Sequence, residues 1–231
     1  MKEILRECID KNKELISKGL SFQNFGNLSI KISKYEIIIK PSGVDLNSIN
    51  VNDVPVIDIR TGKKIKGRLK PSIDTPTHIE LYKKYEKLKS IAHCHSKYST
   101  SWSQACKDIP ILGTTHSDFS NTSIPVTDQL SGDEIKINYE KNIGVSIIKK
   151  LRKLKLNPYL CPGILVANHA SFSWGITVDQ CINNMETIEF LAETAFITLQ
   201  INKKNKISKA LISKHFNRKH GINAYYGQKK K

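Results

Sequence analysis

The sequence is poor in several features that would place it outside the ordinary run of soluble globular proteins. None of its 231 residues lie in an apolar run that approaches the roughly 20 positions needed to span a membrane. The opening segment MKEILRECIDKNKELI carries Glu and Asp among its apolar residues, a mixture wrong for a secretory or transit peptide. A soluble, cytoplasmic protein is therefore expected. The cysteines, Cys8, Cys94, Cys106, Cys161 and Cys181, are odd in number and lack any CxxC spacing, which argues against a disulfide framework and against a zinc ribbon. They read as reduced thiols, mostly small core residues. Acidic side chains are also scarce: 21 Asp and Glu face 37 Lys and Arg, a formal charge of +16. Such an excess raises nucleic-acid binding, because lysines and arginines that neutralise phosphates drive it. Here the lysines are spread along the whole chain beside Asn and Ile, with no helix-turn-helix, RRM or finger pattern. The expectation is a diffuse basic field that draws anionic small molecules, with no specific nucleic-acid partner.

The length fits one domain over residues 1–231, long enough to bury a real core. There is no internal repeat, and the one low-complexity stretch is the basic tail 229–231, expected to be disordered. Ile4, Leu5, Cys8, Ile9, Leu15 and Ile16 recur at helical spacing and predict an opening amphipathic helix. Tyr35 to Ile39 and Val54 to Ile59 read as short strands. Asp74-Thr75-Pro76 provides an N-cap and an early proline for a helix carrying Ile79, Tyr82, Tyr85 and Leu88. A strand follows at Ile91 to His95, then a helix at Tyr98 to Ala105 and a strand at Ile109 to Thr115. Further on come a helix near Asp133 to Leu151, a buried strand at Gly163 to Ala167, the longest helix around Cys181 to Leu199, and a last helix from Ile207 to Lys219 that ends at Gly221. Helices and strands alternate irregularly, which predicts a three-layer α/β/α or α+β domain.

His93-Cys94-His95 is the most informative local feature. On a strand, residues two apart share a face, so two imidazoles converge. A third, His169, follows the buried strand, and three histidines with an open fourth position make a catalytic rather than a structural zinc arrangement. Two histidines at a sheet end are by themselves more often unrelated, and it is the third that raises the odds. Asp74 and Asp118 are the carboxylates best placed to work beside such a metal, although simple N-capping is the bland reading of Asp74. Lys40-Pro41-Ser42-Gly43 combines a cation, a hydroxyl and a glycine in one turn, which suits a phosphate. As a bare motif it is weak. Asn27 after Gly26 and the pair Tyr225-Tyr226 read as a turn residue and as packing tyrosines.

Taken together, GNLSI (26–30), IKPSGVD (39–45), KPSIDTPTHIELY (70–82), AHCHSKYSTSWSQA (92–105), GTTHSDF (113–119), PGILVANHASFSWG (162–175) and KHFNRKHGINAYYGQ (214–228) resemble the L-ribulose-5-phosphate 4-epimerases of the class II aldolase superfamily. The order and spacing of the blocks span nearly the whole chain. The resemblance implies an α/β/α fold around a central, mainly antiparallel sheet and a homotetramer with fourfold cyclic symmetry. It implies one zinc per subunit on His93, His95 and His169, with Asp74 as a further ligand and Mn²⁺ or Co²⁺ as possible occupants. It also implies a sugar-phosphate pocket at Gly26, Asn27, Lys40, Ser42, Gly43, Ser72 and Ile73, acid/base groups at Asp118 and Tyr226, and support from Thr114, Glu140 and His215. Two departures stand out. Ile73 occupies a position where the family usually has a second serine, and Ser120-Asn121-Thr122 replaces an aromatic-rich stretch after Asp118.

The activity so implied is inversion at C4 of L-ribulose 5-phosphate to D-xylulose 5-phosphate, by cleavage and re-formation of the C3–C4 bond. It belongs to the catabolism of arabinose or of ascorbate. Two other readings are carried forward. One is a true class II aldolase of the fuculose- or rhamnulose-phosphate type, in which the position of Asp74 is usually Glu. The other is an inactive basic binding protein on the same fold.

Overall fold

The strands form first as an alternation problem. In Glu36–Ile39 (β2) the isoleucines 37 and 39 face one side of a sheet and Ile38 the other, and all three are fully buried. Apolar residues on both faces of one strand require helices on both sides of the sheet. The computed structural model, which describes residues 1–227, supplies them. The basic tail 229–231 lies outside the described residues.

In chain order, Lys2–Ser17 (α1) leads to Asn27–Lys31 (β1), then β2, Val56–Asp58 (β3), Lys64–Lys66 (β4) and Thr75–Lys84 (α2). Ser90–Cys94 (β5), Lys97–Gln104 (α3), Thr114–Phe119 (α4), Gly132–Lys136 (α5) and Tyr139–Lys153 (α6) follow. Gly163–Leu165 (β6), Ser171–Gly175 (β7), Val178–Ile201 (α7) and Lys209–His220 (α8) complete the described chain. Among the described residues the strands form one sheet in the order β4-β3-β2-β1-β5-β7-β6, and every neighbouring pair is antiparallel. One face packs Ile37, Ile39, Ile57, Ile91, Phe172 and Trp174 against Ile79 and Leu81 of α2 and Ile143, Ile147 and Leu151 of α6. The other packs Leu28, Ile30, Ile38, Ala92 and Cys94 against Cys8, Ile9 and Leu15 of α1 and Cys181, Ile182 and Met185 of α7. This is the three-layer arrangement expected. Cys8, Cys94 and Cys181 are indeed small core residues, and all five cysteines are free thiols.

Three expectations for the elements need correction. Ile109 to Thr115 is not a strand: Ile109 makes a single bridge to Ile124, and the chain turns into α4 at Thr114. Its burial comes from a third apolar cluster under α7, with Phe119, Leu191 and Ala195, rather than from a sheet. The helix expected near 133–151 is two helices, α5 and α6. Asn138 between them sits in the left-handed region at φ 56°, a conformation Asn tolerates better than most residues. The strand expected through His95 ends at Cys94, so His95 stands just beyond it. Among the described residues no helix is long and apolar enough to cross a membrane.

Candidate active site

The site grows from the β5–β7 pair. Alternation along β5 turns Ala92 and Cys94 toward α7 and leaves Ile91 and His93 facing α2 and α6. His93, almost wholly buried, stacks on Phe172 of β7 at 4.3 Å between ring centroids. Its Nδ1 lies 3.1 Å from the main-chain oxygen of Ser171. A carbonyl only accepts, so Nδ1 carries the proton and Nε2 keeps its lone pair for a ligand. Gly26, at φ 92°, passes so close to β5 that a Cβ there would come within 2.6 Å of the His93 carbonyl oxygen. No side chain fits at that position.

His169 reaches the same point from the tight turn between β6 and β7. Asn168 adopts the left-handed conformation at φ 57°, and the turn closes by hydrogen bonds from His169 N to Val166 O and from Val166 N to Ala170 O. The rings of His93, His95 and His169 stand 4.8 to 4.9 Å apart, and one nitrogen from each lies within 4.8 Å of the others. Burial, together with the neighbouring imidazoles, lowers the His93 pKa well below the usual value, and it lowers His169 to about 4. Burial also lowers His95. All three are therefore neutral near pH 7, the form that binds a metal. The buried Nε2 of His169 has no hydrogen-bond partner. An orphaned imidazole nitrogen of this kind is costly unless something accepts its lone pair, so the residues present fit a divalent metal.

Asp74 occupies the N-cap position of α2 yet makes no capping hydrogen bond. The bland reading thus fails. Its carboxylate instead accepts from Asn27 Nδ2 at 2.7 Å and from Ser72 Oγ at 3.4 Å, and its charge acts on His95 and His169. It stands outside the histidine trio but beside it. The two phosphate-type segments also meet: Pro41 bridges Pro71, Ser42 N donates to Lys70 O, and Ser72 N donates to Lys40 O. Lys40 is buried, donates through Nζ to Asn24 O, and has its pKa lowered by that burial. Ser42 and Gly43 are exposed, and Ile73 is 69% exposed, an apolar side chain standing free where the two segments join.

Asp118 and Tyr226 form a separate cluster. Asp118 accepts from Arg218 Nε at 2.9 Å and from an Arg218 terminal nitrogen at 2.6 Å, and His215 Nδ1 lies 3.2 Å away. Burial pushes the Asp118 carboxyl pKa up, but the Arg218 and His215 bonds and charges outweigh this and hold it below the usual value. The Tyr226 ring lies under the same guanidinium at 5.0 Å. Thr114 opens α4, the helix that bears Asp118. Glu140, in the first turn of α6, accepts at its main-chain oxygen from Thr77 of α2. Among the described residues, no hydrogen bond or ion pair links Asp118 or Tyr226 to the histidine trio.

Sequence reasoning missed several neighbours. Arg218 sits inside the block KHFNRKHGINAYYGQ and spans both acid/base candidates. Tyr139 stands 6.5 Å from His169, and Phe25 stands 6.0 Å from His95. His78, fully buried with Nδ1 on Ser29 Oγ, has its pKa lowered by burial to about 3. No local pattern singles these out, because each is one polar or aromatic residue whose neighbours come from distant chain segments.

The fold and the site together define a class. The profile of the Class II Aldolase and Adducin N-terminal domain matches residues 6–196, and the chain belongs to that family. Across 99% of its length it is 41% identical over 231 residues to the L-ribulose-5-phosphate 4-epimerase UlaF of Salmonella paratyphi B, covering all of that protein, and it matches the Salmonella typhi protein of the same name equally. An L-fuculose 1-phosphate aldolase shares the fold at a TM-score of 0.80 and 20% identity, covering 94% of this chain and 96% of that one. A sugar-phosphate aldolase from Thermotoga maritima does so at 0.67 and 18%, covering 90% and 99%.

Proposed function

We propose that this protein is a metal-dependent isomerase that interconverts L-ribulose 5-phosphate and D-xylulose 5-phosphate. The observation that carries the proposal is the trio of neutral histidines with its orphaned His169 nitrogen, in a chain 41% identical from end to end to an L-ribulose-5-phosphate 4-epimerase. His93, His95 and His169 would hold the metal, zinc by the chemistry of the donors, with Asp74 beside them. When bound, the metal supplies Lewis-acid stabilisation of the negative charge that develops on the carbonyl fragment.

The chemistry is dictated by the substrate. C4 lies two carbons from the C2 carbonyl, so its hydrogen is not acidic and simple deprotonation cannot invert it. Breaking C3–C4 can. Asp118, held ionised by Arg218, accepts the C4 hydroxyl proton; the C4–O bond becomes the aldehyde of glycolaldehyde phosphate, and the C3–C4 electron pair passes into the ketone as an enediolate. The aldehyde turns over, C3 adds to its other face, and Tyr226 gives a proton to the new C4 oxygen. Reversal exchanges the two roles. Throughout, the phosphate is held by Ser42, Gly43, Ser72 and the main chain at Ile73, with Lys40 and Asn27 nearby, so that the cleaved aldehyde turns without leaving.

The separation of the Asp118–Tyr226 cluster from the histidines supports an assembly in which one chain's cluster faces the next chain's metal, a homotetramer with fourfold symmetry. Phe190, Ile197 and Ile201 of α7, between 45% and 82% exposed, are apolar side chains suited to such contacts. We further propose a single domain over residues 1–231 and a cytoplasmic location, in keeping with five free thiols. The test is a coupled assay on purified protein with L-ribulose 5-phosphate, before and after chelation. D-xylulose 5-phosphate should form, stop with chelator and resume with Zn²⁺. Accumulation of free aldehyde, trapped by alcohol dehydrogenase and NADH, would make it an aldolase instead.

A further inference from the structure

Helix α3 begins two residues after His95, and the way its first turn is satisfied is unusual. Ser96 stands at the N-cap position but makes no capping bond to the helix. Two amides of that turn are capped from another element: Glu189 of α7 accepts from Tyr98 N at 2.7 Å through one oxygen and from Ser99 N at 2.9 Å through the other. The second oxygen also accepts from Ser96 Oγ at 2.7 Å. A carboxylate at a helix N-terminus is favoured both by the unpaired N–H groups and by the helix dipole.

From Glu189 a chain of hydroxyls runs toward the histidines. Ser96 spends its one proton on the carboxylate, so at 2.8 Å it must accept from Ser99 Oγ. Ser99 has then given its proton away, and its oxygen lies 3.0 Å from Ser171 Oγ, whose one proton has Ser99 Oγ, Cys94 O at 3.1 Å and Met185 Sδ at 3.3 Å as its acceptors. All three hydroxyls belong to buried residues. Ser171 is the residue whose carbonyl fixes the His93 ring. The other end of α3 reaches the third histidine: Ser103 O accepts from Asn168 N at 2.9 Å, one residue before His169. Helix α3 thus braces all three ring-bearing segments, directly at His95 and at the 168–169 turn and through Ser171 at His93.

We propose that Glu189 is a positioning residue for the metal centre: by capping α3 and orienting the Ser96–Ser99–Ser171 hydroxyls, it holds His93, His95 and His169 in the geometry that binds the metal. The inference rests on the metal reading above, and it assigns Glu189 no contact with substrate or metal. Glu189→Gln keeps the shape of the side chain but turns one acceptor into a donor facing an N–H or a hydroxyl. Outer-shell changes of this kind commonly cost 10- to 100-fold in metal affinity.

The experiment measures Co²⁺ and Zn²⁺ affinity by chelator competition, the visible spectrum of the Co²⁺-loaded protein, and the Tm with and without metal. Glu189→Gln should lose at least about 10-fold in affinity, change the Co²⁺ spectrum, and show a smaller metal-induced rise in Tm. Glu193→Gln is the control on the same helix; Glu193 makes none of the bonds to Ser96, Tyr98 N or Ser99 N that Glu189 makes, and its variant should bind metal as the parent does. A Glu189→Gln protein with parental affinity and spectrum would overturn the proposal, as would one whose Tm falls equally with and without metal. Should that variant not fold, Ser96→Ala removes one of the three bonds and leaves both amide bonds; a several-fold loss of affinity supports the proposal and an unchanged affinity overturns it. If the parent protein binds neither Co²⁺ nor Zn²⁺, the metal reading falls and this inference with it.

Discussion

The two halves of the proposed site are built on different principles. The histidine trio is embedded in the sheet: His93 is buried on β5, its ring is stacked on Phe172, and the turn carrying His169 is closed by main-chain bonds. The Asp118–Arg218–Tyr226 cluster rides on the short helix α4, on the last turn of α8 and on the chain that follows it, and Tyr226 is 57% exposed. The first is held by packing, with its three imidazoles gathered by the sheet and the turn that carry them. The second is held by charge and remains open to solvent on one side. A rigid, desolvated ligand set suits a metal, which demands fixed distances. An open, charge-held pair suits groups that exchange protons with a moving aldehyde and that a neighbouring chain would enclose.

The largest effect should come from breaking the buried half. His93→Asn removes one of three imidazoles and the ring that Ser171 orients, so metal and turnover should disappear together, by roughly three orders of magnitude or more in rate. Elemental analysis beside the coupled assay checks this, and full metal occupancy with normal turnover would refute the ligand assignment. The relation between the halves is tested next. His93→Asn and Tyr226→Phe, each inactive alone, should recover activity when unfolded and refolded together, because some interfaces of a cyclic oligomer then pair an intact metal site with an intact tyrosine. If each chain completed its own site, every site in the mixture would carry a lesion and the mixture would stay inactive.

A smaller effect is expected in the charge-held half. Arg218→Ala should leave the bound metal unchanged and lower kcat by about 10²-fold, the scale of a mispositioned acid/base group. It also predicts a pH signature. Asp118 is held below the usual carboxylate value chiefly because the Arg218 and His215 bonds overcome its burial, so its base form persists to low pH. Without the guanidinium its pKa rises, and the acid limb of the pH–rate profile moves to higher pH. A limb that stays in place would separate Asp118 from the proton transfer. The smallest effect concerns the phosphate segments. Ile73→Ser should lower KM for the phosphorylated substrate several-fold, on the order of 1 kcal/mol for one added hydrogen bond. An unchanged or higher KM would mean that the pocket has been rebuilt around the exposed isoleucine.

How much of this was legible beforehand differs between the two halves as well. His93 and His95 announce themselves by their two-residue spacing at a strand, even though the strand stops one residue short of His95, and His169 by its place after an apolar segment, because local periodicity carries that information. Asp74 was ambiguous: a carboxylate at a helix start normally caps the helix, and only the approach of Asn27 from β1 diverts it. The role of Arg218 could not be read at all, since its partner lies 100 positions earlier. Ile109 to Thr115 misled for a related reason. Its apolar residues bury against α7, and burial alone does not distinguish a strand from a loop under a helix.

The amino-acid sequence by itself determined most of the helices and several of the strands, a mixed α/β class, the free thiols and the identity of the three histidines. These depend on residue type and short spacing, which a chain carries without being folded. Tertiary structure decided which nitrogen of His93 is available, that the His169 nitrogen is orphaned, that Asp74 leaves its helix uncapped, and that Glu189 caps α3 from across the layer. Each of these is a hydrogen bond or its absence between groups far apart in the chain, fixed only when packing brings them within about 3 Å.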